Sequence, residues 1–210
     1  MRFLRLLSIS IFALALAATA HAQGGQGGAA QGQGGQGGAG GRGGPAPKPL
    51  TMTSTAFADG TDIPAKYTQA GDSTSPAISW TNTPAGTVTF VLHMHDLEVS
   101  RNKTSEDQLH WLVWNIPATE TGLPEGVPKG DQIPDGAFQT SANGASYRGP
   151  GAPATGPKHH YTLELFALDT KLDIQPGTDG FATWKSIDAA MQGHILGKAV
   201  YMGLFHRPPQ

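Results

Sequence analysis

Cysteine is absent from this chain of 210 residues, and charged residues are few. The lack of cysteine excludes disulfide bonds, thiolate metal ligands, cysteine nucleophiles and a lipid-modified N-terminal cysteine. The 14 lysine and arginine residues are outnumbered by 16 aspartate and glutamate residues, and the formal net charge is −2. Without a basic excess the chain has no strongly positive field to attract a nucleic acid, so we expect no nucleic-acid partner.

Long apolar runs are also missing, apart from one near the N-terminus. There Arg2 and Arg5 precede an apolar stretch over residues 6–18 and the small-residue pattern Ala20-His21-Ala22. The stretch is shorter than the roughly 20 residues needed to cross a bilayer, and this order of parts is typical of a secretory signal peptide. Residues 1–22 are therefore predicted to be cleaved near Ala22, which places the mature chain in the periplasm or outside the cell, with no stable membrane span.

Residues 23–49 differ in composition from everything that follows them. Up to residue 44 they are almost entirely glycine, glutamine and alanine, and prolines follow at positions 45, 47 and 49. So few apolar side chains cannot offset the entropy lost when a backbone becomes ordered. This segment is predicted to be a disordered linker with a stiffer proline-rich end, and residues 50–210 are predicted to form one folded domain.

The pattern of residues 50–210 favours a mostly β domain. Short runs rich in β-branched and aromatic residues are separated by glycine and proline, and helical periodicity is scarce. The strongest predicted strands cover residues 88–95, 109–116, 161–168 and 198–205, with weaker ones at 50–57 and 77–80. Ser186, followed by Asp188, indicates the start of a helix over residues 186–195.

Two adjacent histidines at the start of a strand indicate one wall of a polar pocket. Alternation along the strand places His159 and Tyr161 on one face and His160 on the other. Just before them, a loop rich in glycine and proline over residues 147–153 can bring backbone N–H groups close to an anion. This arrangement predicts a phosphate cradle beside His159 and Tyr161.

Further candidates for the same pocket lie on two other strands. Alternation aligns His110 with Leu112 and Trp114, which places His110 at the mouth of a largely apolar face. Asp96 and Glu98 lie two residues apart at a strand end, where a carboxylate can orient a histidine ring. A single histidine is more often an ordinary surface or core residue, so the predicted site depends on several of these side chains meeting.

A series of motifs runs in a characteristic order along residues 51–206. The motifs are Phe57-Ala-Asp-Gly60, Ile63-Pro-Ala-Lys-Tyr-Thr68, Gly71, Ser75-Pro76, Ser79-Trp80, Asp96-Leu-Glu98, His110-Trp-Leu-Val-Trp-Asn-Ile-Pro117, and the stretch from Gly149 to His159-His160-Tyr161. In order and spacing they resemble the phosphatidylethanolamine-binding protein family, also called Raf-kinase-inhibitor-like proteins. The resemblance implies a two-sheet antiparallel β-sandwich with one or two short helices.

The same resemblance implies which residues line a small anion site. These residues are Asp96, His110, Gly151, Ala152, His159 and Tyr161, with Glu98 in the position of the second aspartate of the family's Asp-Pro-Asp motif. Leu97 and Val99-Ser100 stand where prolines are usual, and His160 stands where arginine is common. Because proline fixes φ, its replacement changes the rim of the pocket, whereas position 160 faces away from it.

We therefore predict an exported, non-enzymatic binding protein for a small phosphate-like anion or a phospholipid head group. No catalytic residue, metal or cofactor is expected, and a protein partner is an additional expectation. In the hypothesis, His110, His159, Tyr161 and the loop N–H groups donate hydrogen bonds to phosphate oxygens, while Asp96 fixes an imidazole tautomer. Affinity then rises as the histidines protonate below about pH 6.5.

Three alternatives come from other classes of protein. His93 and His95, with Glu98 and His159, offer ligands for a cupin-like metal enzyme, although the spacing does not match a full cupin signature and alternation turns the first two away from Asp96. The irregular stretch 117–158 could let the protein inhibit a kinase or protease. Residues 144–149 miss the G-x-S-x-G spacing by one position, so no serine hydrolase is indicated.

Overall fold

A computed structural model describes residues 48–209 of the chain. The predicted signal peptide, and the predicted linker as far as residue 47, lie outside the described residues. The elements in chain order are β1 (Thr51–Ser54), β2 (Thr61–Asp62), a 3₁₀ helix (Ala65–Tyr67), β3 (Ile78–Thr81), β4 (Thr89–Arg101), β5 (Glu106–Pro117), β6 (Gly122–Leu123), β7 (Phe138–Thr140), β8 (His159–Leu168), α1 (Gly180–Met191) and β9 (Ile195–Phe205). Neither helix in this range is long and apolar enough to cross a membrane.

The strands form two sheets, as predicted. The smaller sheet has the order β1-β3-β6, and the larger has the order β2-β9-β8-β4-β5-β7. All strand pairs are antiparallel except the short pair of β2 with β9. The mostly β, two-sheet prediction is confirmed, and all six strands expected from the sequence are present.

The six-stranded sheet is covered on both faces. On one face the side chains pack against the small sheet in a core that includes Met52, Ile78, Trp80, Leu92, Met94, Trp111, Tyr161 and Leu163. On the other face they pack against α1 in a second core that includes Val91, Leu109, Leu112, Trp114, Phe166, Ile187 and Met191. Because both faces are buried, the central strands read as near-continuous apolar runs rather than as a simple alternation.

Strand β5 carries two β-bulges, which are single residues without a partner on β4. The register between β4 and β5 shifts at His110 and again at Asn115. Asn115 has a φ of 59°, a left-handed conformation that asparagine tolerates better than most residues. Its side-chain amide bonds both the N–H and the carbonyl of Leu172, at 2.9 and 2.8 Å, and so ties the bulge to the chain that leads into α1.

The predicted start of the helix at Ser186 is wrong. Helix α1 begins six residues earlier, at Gly180, and the Asp179 carboxylate accepts hydrogen bonds from the backbone N–H groups of Phe181 and Ala182 at 2.9 and 3.3 Å. The Ser186 hydroxyl instead donates to the Ala182 carbonyl one turn back, as serine does inside a helix. Both residue types cap helices well, and the local pattern does not distinguish between them.

Replacing the true cap is expected to destabilise the protein more than replacing the predicted one. Asp179→Ala leaves two N–H groups of the first turn without a side-chain acceptor, for a loss of about 1 kcal/mol in the free energy of unfolding. Ser186→Ala, the matched control, removes only a hydroxyl from the middle of the helix and should change it by less than about 0.5 kcal/mol. Urea unfolding measures both, and equal losses would contradict the observed cap.

Candidate functional site

A polar pocket of about 230 Å³ opens at one end of the six-stranded sheet. Its floor comes from β4, β5 and β8, and its rim comes from the loop before β8. The lining residues are Gln69, Asp96, Val99, Gln108, His110, Arg148, Gly151, Ala152, Pro153, His159 and Tyr161. Six of the seven predicted ligand-binding residues therefore meet in one place, and Glu98 does not line the pocket.

The carboxylate of Asp96 holds the ring of His159. Asp96 lies opposite Tyr161 in the pairing of β4 with β8, and only 3% of Asp96 is exposed. His159 Nδ1 lies 3.0 and 2.9 Å from the two Asp96 oxygens, which can only accept, so Nδ1 carries the proton and Nε2 is left for a ligand. Asp96 therefore orients an imidazole, as expected from the sequence.

His110 reaches the pocket for a reason that strict alternation misses. The prediction that it shares a face with Leu112 and Trp114 is wrong, because those two side chains lie in the core under α1. On β4, Met94 pairs with Trp111 and the next residue, His95, pairs with Leu109, so His110 has no partner. This bulge turns His110 to the opposite face, where its ring meets the ring of Tyr161 edge-on at 5.0 Å.

Buried His110 is a hydrogen-bond acceptor toward the pocket. Its Nδ1 lies 2.8 Å from the Arg148 carbonyl, which can only accept, so Nδ1 carries the proton of the neutral ring and Nε2 carries the lone pair. Burial, reinforced by the nearby Arg148 charge, lowers the pKa of His110 from 6.5 to about 4. The donation from His110 to phosphate expected from the sequence stays a prediction, and the lowered pKa moves the protonation that it requires from about pH 6.5 to about pH 4.

The loop N–H groups expected to cradle a phosphate bind a side chain instead. The backbone N–H groups of Gly151 and Ala152 donate to the hydroxyl oxygen of Tyr161 at 3.2 and 3.0 Å. Burial, and then the charge of Asp96, raise the pKa of Tyr161, so the hydroxyl keeps its own proton. The direct cradle stays a prediction, and in this structure the two N–H groups orient the Tyr161 hydroxyl, which can donate into the pocket.

Arg148 is a charged pocket residue that sequence reasoning missed. Its Nε is buried without a hydrogen-bond partner, and among the described residues no carboxylate lies within salt-bridge distance of its guanidinium. The signal was available, since Arg148 is the single cation in the loop over residues 147–153. Gln69 was also missed. Its side-chain amide donates to the carbonyl of Gly149, which lies 80 residues further along the chain, and a sequence pattern does not predict a contact at that separation.

Among the remaining predicted rim residues, Glu98 departs from the prediction, whereas His160 faces away from the pocket as expected. The carboxylate of Glu98 accepts hydrogen bonds from the backbone N–H and the ring of His160, and this contact holds it away from the pocket lining. His160 faces outward, with 45% of its side chain exposed. Among the residues at expected proline positions, Leu97 is half exposed, whereas Val99 lines the pocket and shapes its rim.

The four candidate ligands of a cupin-like metal site do not come together. His159 lines the pocket and Glu98 pairs with His160 outside its lining, while His93 and His95 lie on the face of the sheet covered by α1. The stretch 117–158 contributes β6, β7 and the loop before β8, so part of it shapes the pocket rim.

The chain is similar to known proteins over most of the described residues. The family model described as phosphatidylethanolamine-binding protein matches residues 53–206. A UPF0098 protein from Methanothermobacter thermautotrophicus is 37% identical over 160 residues, which cover 75% of this chain and 99% of the relative. LppC of Mycobacterium tuberculosis, a proposed lipoprotein, is 30% identical over 151 residues, which cover 71% of this chain and 70% of the relative.

Solved structures have the same fold. CT736 from Chlamydia trachomatis, a proposed phosphatidylethanolamine-binding protein homologue, superposes with a TM-score of 0.62 at 29% identity, over 76% of this chain and 98% of that one. YbcL of Escherichia coli is described as a member of the mammalian phosphatidylethanolamine-binding protein family. It superposes with a TM-score of 0.66 at 24% identity, over 76% of this chain and 99% of that one. The second likeness supports the fold alone.

His110 is expected to stay neutral in the folded protein from about pH 8 down to about pH 5.5, because its pKa is lowered to about 4. The unfolded chain takes up this proton near pH 6.5, so between pH 6.5 and 4 the unfolded state binds more protons. The free energy of unfolding therefore decreases as the pH falls through that range, and the total loss from His110 is roughly 3 kcal/mol.

Two measurements check this expectation. In NMR spectra the ring signals of His110 should not titrate between about pH 8 and 5.5, with the urea-unfolded chain as reference. The destabilisation caused by His110→Asn should shrink as the pH is lowered from about 7 to 4.5, because the asparagine variant has no group to protonate there. A His110 midpoint near 6.5 in the folded protein would overturn the neutral assignment.

Proposed function

The chain belongs to the phosphatidylethanolamine-binding protein family, and from that premise we propose that it is an exported binding protein whose pocket receives a small phosphate-like anion. Free phosphomonoesters and lipid head groups share this chemistry. The observation that carries the proposal is the position of Arg148, which lines the same pocket as the Asp96–His159 pair and has no carboxylate partner among the described residues. The guanidinium is a strong hydrogen-bond donor to phosphate oxygens, and a bound anion would supply the acceptor that it lacks.

The charge of Arg148 can offset the carboxylate already present in the pocket. Asp96 alone would repel an anion, but both of its oxygens are engaged by His159, and one also accepts the backbone N–H of Glu98. The planar guanidinium of Arg148 can form two parallel hydrogen bonds to one phosphate. Arginine therefore supplies the charge, and the Tyr161 hydroxyl supplies a directed donor.

The neutral ring of His110 adds a selectivity for protonated phosphate. Its Nε2 lone pair cannot approach a fully ionised phosphate oxygen without repulsion, but it can accept a hydrogen bond from a P–OH group. A phosphomonoester bears such a proton below its second pKa, near 6. Affinity is still expected to rise as the pH falls, as predicted from the sequence. At His110 the reason is different, because the proton is taken up by the phosphate of the ligand and not by the ring.

Binding, rather than catalysis, is the activity that these contacts support. The pocket lining contains no serine, threonine or lysine, and the tyrosine hydroxyl is held by two N–H groups with its pKa raised, which is the opposite of nucleophile activation. Export is supported by the N-terminal pattern and by the likeness to LppC. Because this chain has no cysteine, the exported form would carry no cysteine-linked lipid.

Loss of the Arg148 charge is expected to weaken phosphate binding selectively. Arg148→Gln should raise the Kd for phosphoethanolamine, measured by titration calorimetry, by about 10- to 100-fold, the usual worth of a charge-assisted hydrogen bond. The matched control is Lys158→Gln, which removes the same charge from an exposed side chain paired with Asp62 at 2.6 Å. That variant should bind within about twofold of wild type. Equal losses in the two variants would reject a specific role for Arg148.

The protonated-phosphate selectivity predicts different behaviour for monoesters and diesters. Phosphoethanolamine should bind more tightly at about pH 5.5 than at pH 8, whereas glycerophosphoethanolamine, whose phosphate bears no titrating P–OH, should gain less. In His110→Phe the difference between the two ligands should disappear, because the acceptor is gone. The same acidic gain for both ligands in wild type would show that protonation of the protein controls the affinity.

A further inference from the structure

A second cavity lies on the opposite face of the six-stranded sheet. It has a volume of about 300 Å³ and is enclosed by β4, β5, β8 and α1. His93 and His95 project into it from β4, and Glu164 projects from β8, where it lies directly opposite His93. Trp184 of α1 stacks on His93 with ring centroids 3.7 Å apart. The anion pocket uses none of these residues.

The ring of His95 presents a bare lone pair to the cavity. Its Nδ1 lies 2.8 Å from the carboxylate of Asp107, which accepts the ring proton. In this tautomer Nε2 has no hydrogen, and it is buried without a hydrogen-bond partner. The nearest acidic atom, Glu164 Oε2, lies 3.6 Å away and is itself an acceptor. A ring lone pair and a carboxylate oxygen that face each other at this distance are stabilised by a positive charge between them, either a second ring proton or a bound metal ion.

A third donor atom converges on the same oxygen. His93 Nδ1 is buried without a partner and lies 3.8 Å from Glu164 Oε2, too far for a hydrogen bond. His93 is only 5% exposed, and it is stacked between Trp184 and His95, so its ring is held in place. The other Glu164 oxygen pairs with Lys198, which leaves Oε2 for the cavity.

These donors match a transition-metal site. The three ligand atoms lie within 4.8 Å of one another. Tetrahedral Zn²⁺ with bonds of about 2.1 Å places its ligand atoms about 3.4 Å apart. The distances from Glu164 Oε2 to the two imidazole nitrogens, 3.8 and 3.6 Å, need to shorten by a few tenths of an ångström, and one of the two stacked rings has to tilt so that both nitrogens face the ion. The hydrogen bond from His95 to Asp107 is the carboxylate–histidine contact that commonly orients a metal-bound imidazole.

We propose that His93, His95 and Glu164 bind one divalent transition-metal ion, of which Zn²⁺ fits best, with a remaining coordination position that opens into the cavity. Two imidazoles and one carboxylate prefer such ions to Mg²⁺ or Ca²⁺, which favour oxygen ligands. The other group of potential ligands, Asp96, Glu98 and His159, contains one histidine, and its members already bond one another or His160. The metal site is thus separate from the proposed anion pocket.

The test is a metal titration of the protein purified without a polyhistidine tag and stripped with a chelator. Native mass spectrometry should find one Zn²⁺ per chain, and calorimetry should find no binding of Mg²⁺ at comparable concentrations. Asp107→Asn should weaken Zn²⁺ binding about 10- to 100-fold, as loss of a ligand's hydrogen-bond partner does. Glu164→Gln, which removes a ligand with little change of shape, should weaken binding by more than that.

Two matched controls isolate the cavity. His194→Gln removes an exposed histidine that pairs with Asp169, and His159→Gln removes the histidine of the anion pocket. Both should bind Zn²⁺ as wild type does. Zn²⁺ should also raise the Tm of wild type and of both controls but not that of Glu164→Gln, and this thermal scan shows in the same experiment that each variant is folded.

An independent readout comes from Trp184, because its ring stacks on a proposed ligand. Co²⁺ should quench part of the tryptophan fluorescence in wild type, and Glu164→Gln or Trp184→Phe should remove that part. Absence of stoichiometric binding in wild type would overturn the proposal. So would Zn²⁺ affinity that survives Glu164→Gln and Asp107→Asn, or that falls equally in His194→Gln, since the ion would then lie elsewhere.

Discussion

The antiparallel register between β4 and β8, at the centre of the larger sheet, is the constraint on which the rest of the structure depends. It sets Asp96 opposite Tyr161 and His93 opposite Glu164. Because successive side chains of a strand point to opposite faces, the first pair faces the pocket and the second faces α1. A slip of one residue would exchange the two faces and bury the wrong side chains, so packing on both sides of the sheet fixes the register strongly.

Both polar regions are therefore held by an apolar frame. Met94 pairs with Leu163 and is the next residue of β4 on the same face as Asp96. Both side chains are fully buried, so the floor of the pocket has little freedom to move. The same frame lowers the pKa of His110 by excluding water. Burial thus decides more than stability here, since it keeps the His110 ring neutral and leaves one of its nitrogens as a hydrogen-bond acceptor.

The carbonyl of Arg148 and its side chain serve the pocket in different ways. The carbonyl fixes the tautomer of His110, while the guanidinium brings positive charge to the pocket. Tyr161 has a comparable dual role, because its hydroxyl accepts two loop N–H groups and retains a proton to donate. The loop before β8 is consequently joined to the sheet by hydrogen bonds on both sides of the pocket, which favours a preformed site over one that closes on a ligand.

The sequence by itself determined the class of fold, the positions of the main strands and most of the pocket residues. It could do so because two-residue periodicity, apolar runs and the order of the motifs are local properties of the chain. Only the tertiary structure decided the bulge that turns His110, the partners of the Gly151 and Ala152 N–H groups, and the meeting of His93, His95 and Glu164. Each of these depends on a register or a hydrogen bond between segments distant in the chain, and the energy that selects it arises only when those segments pack together.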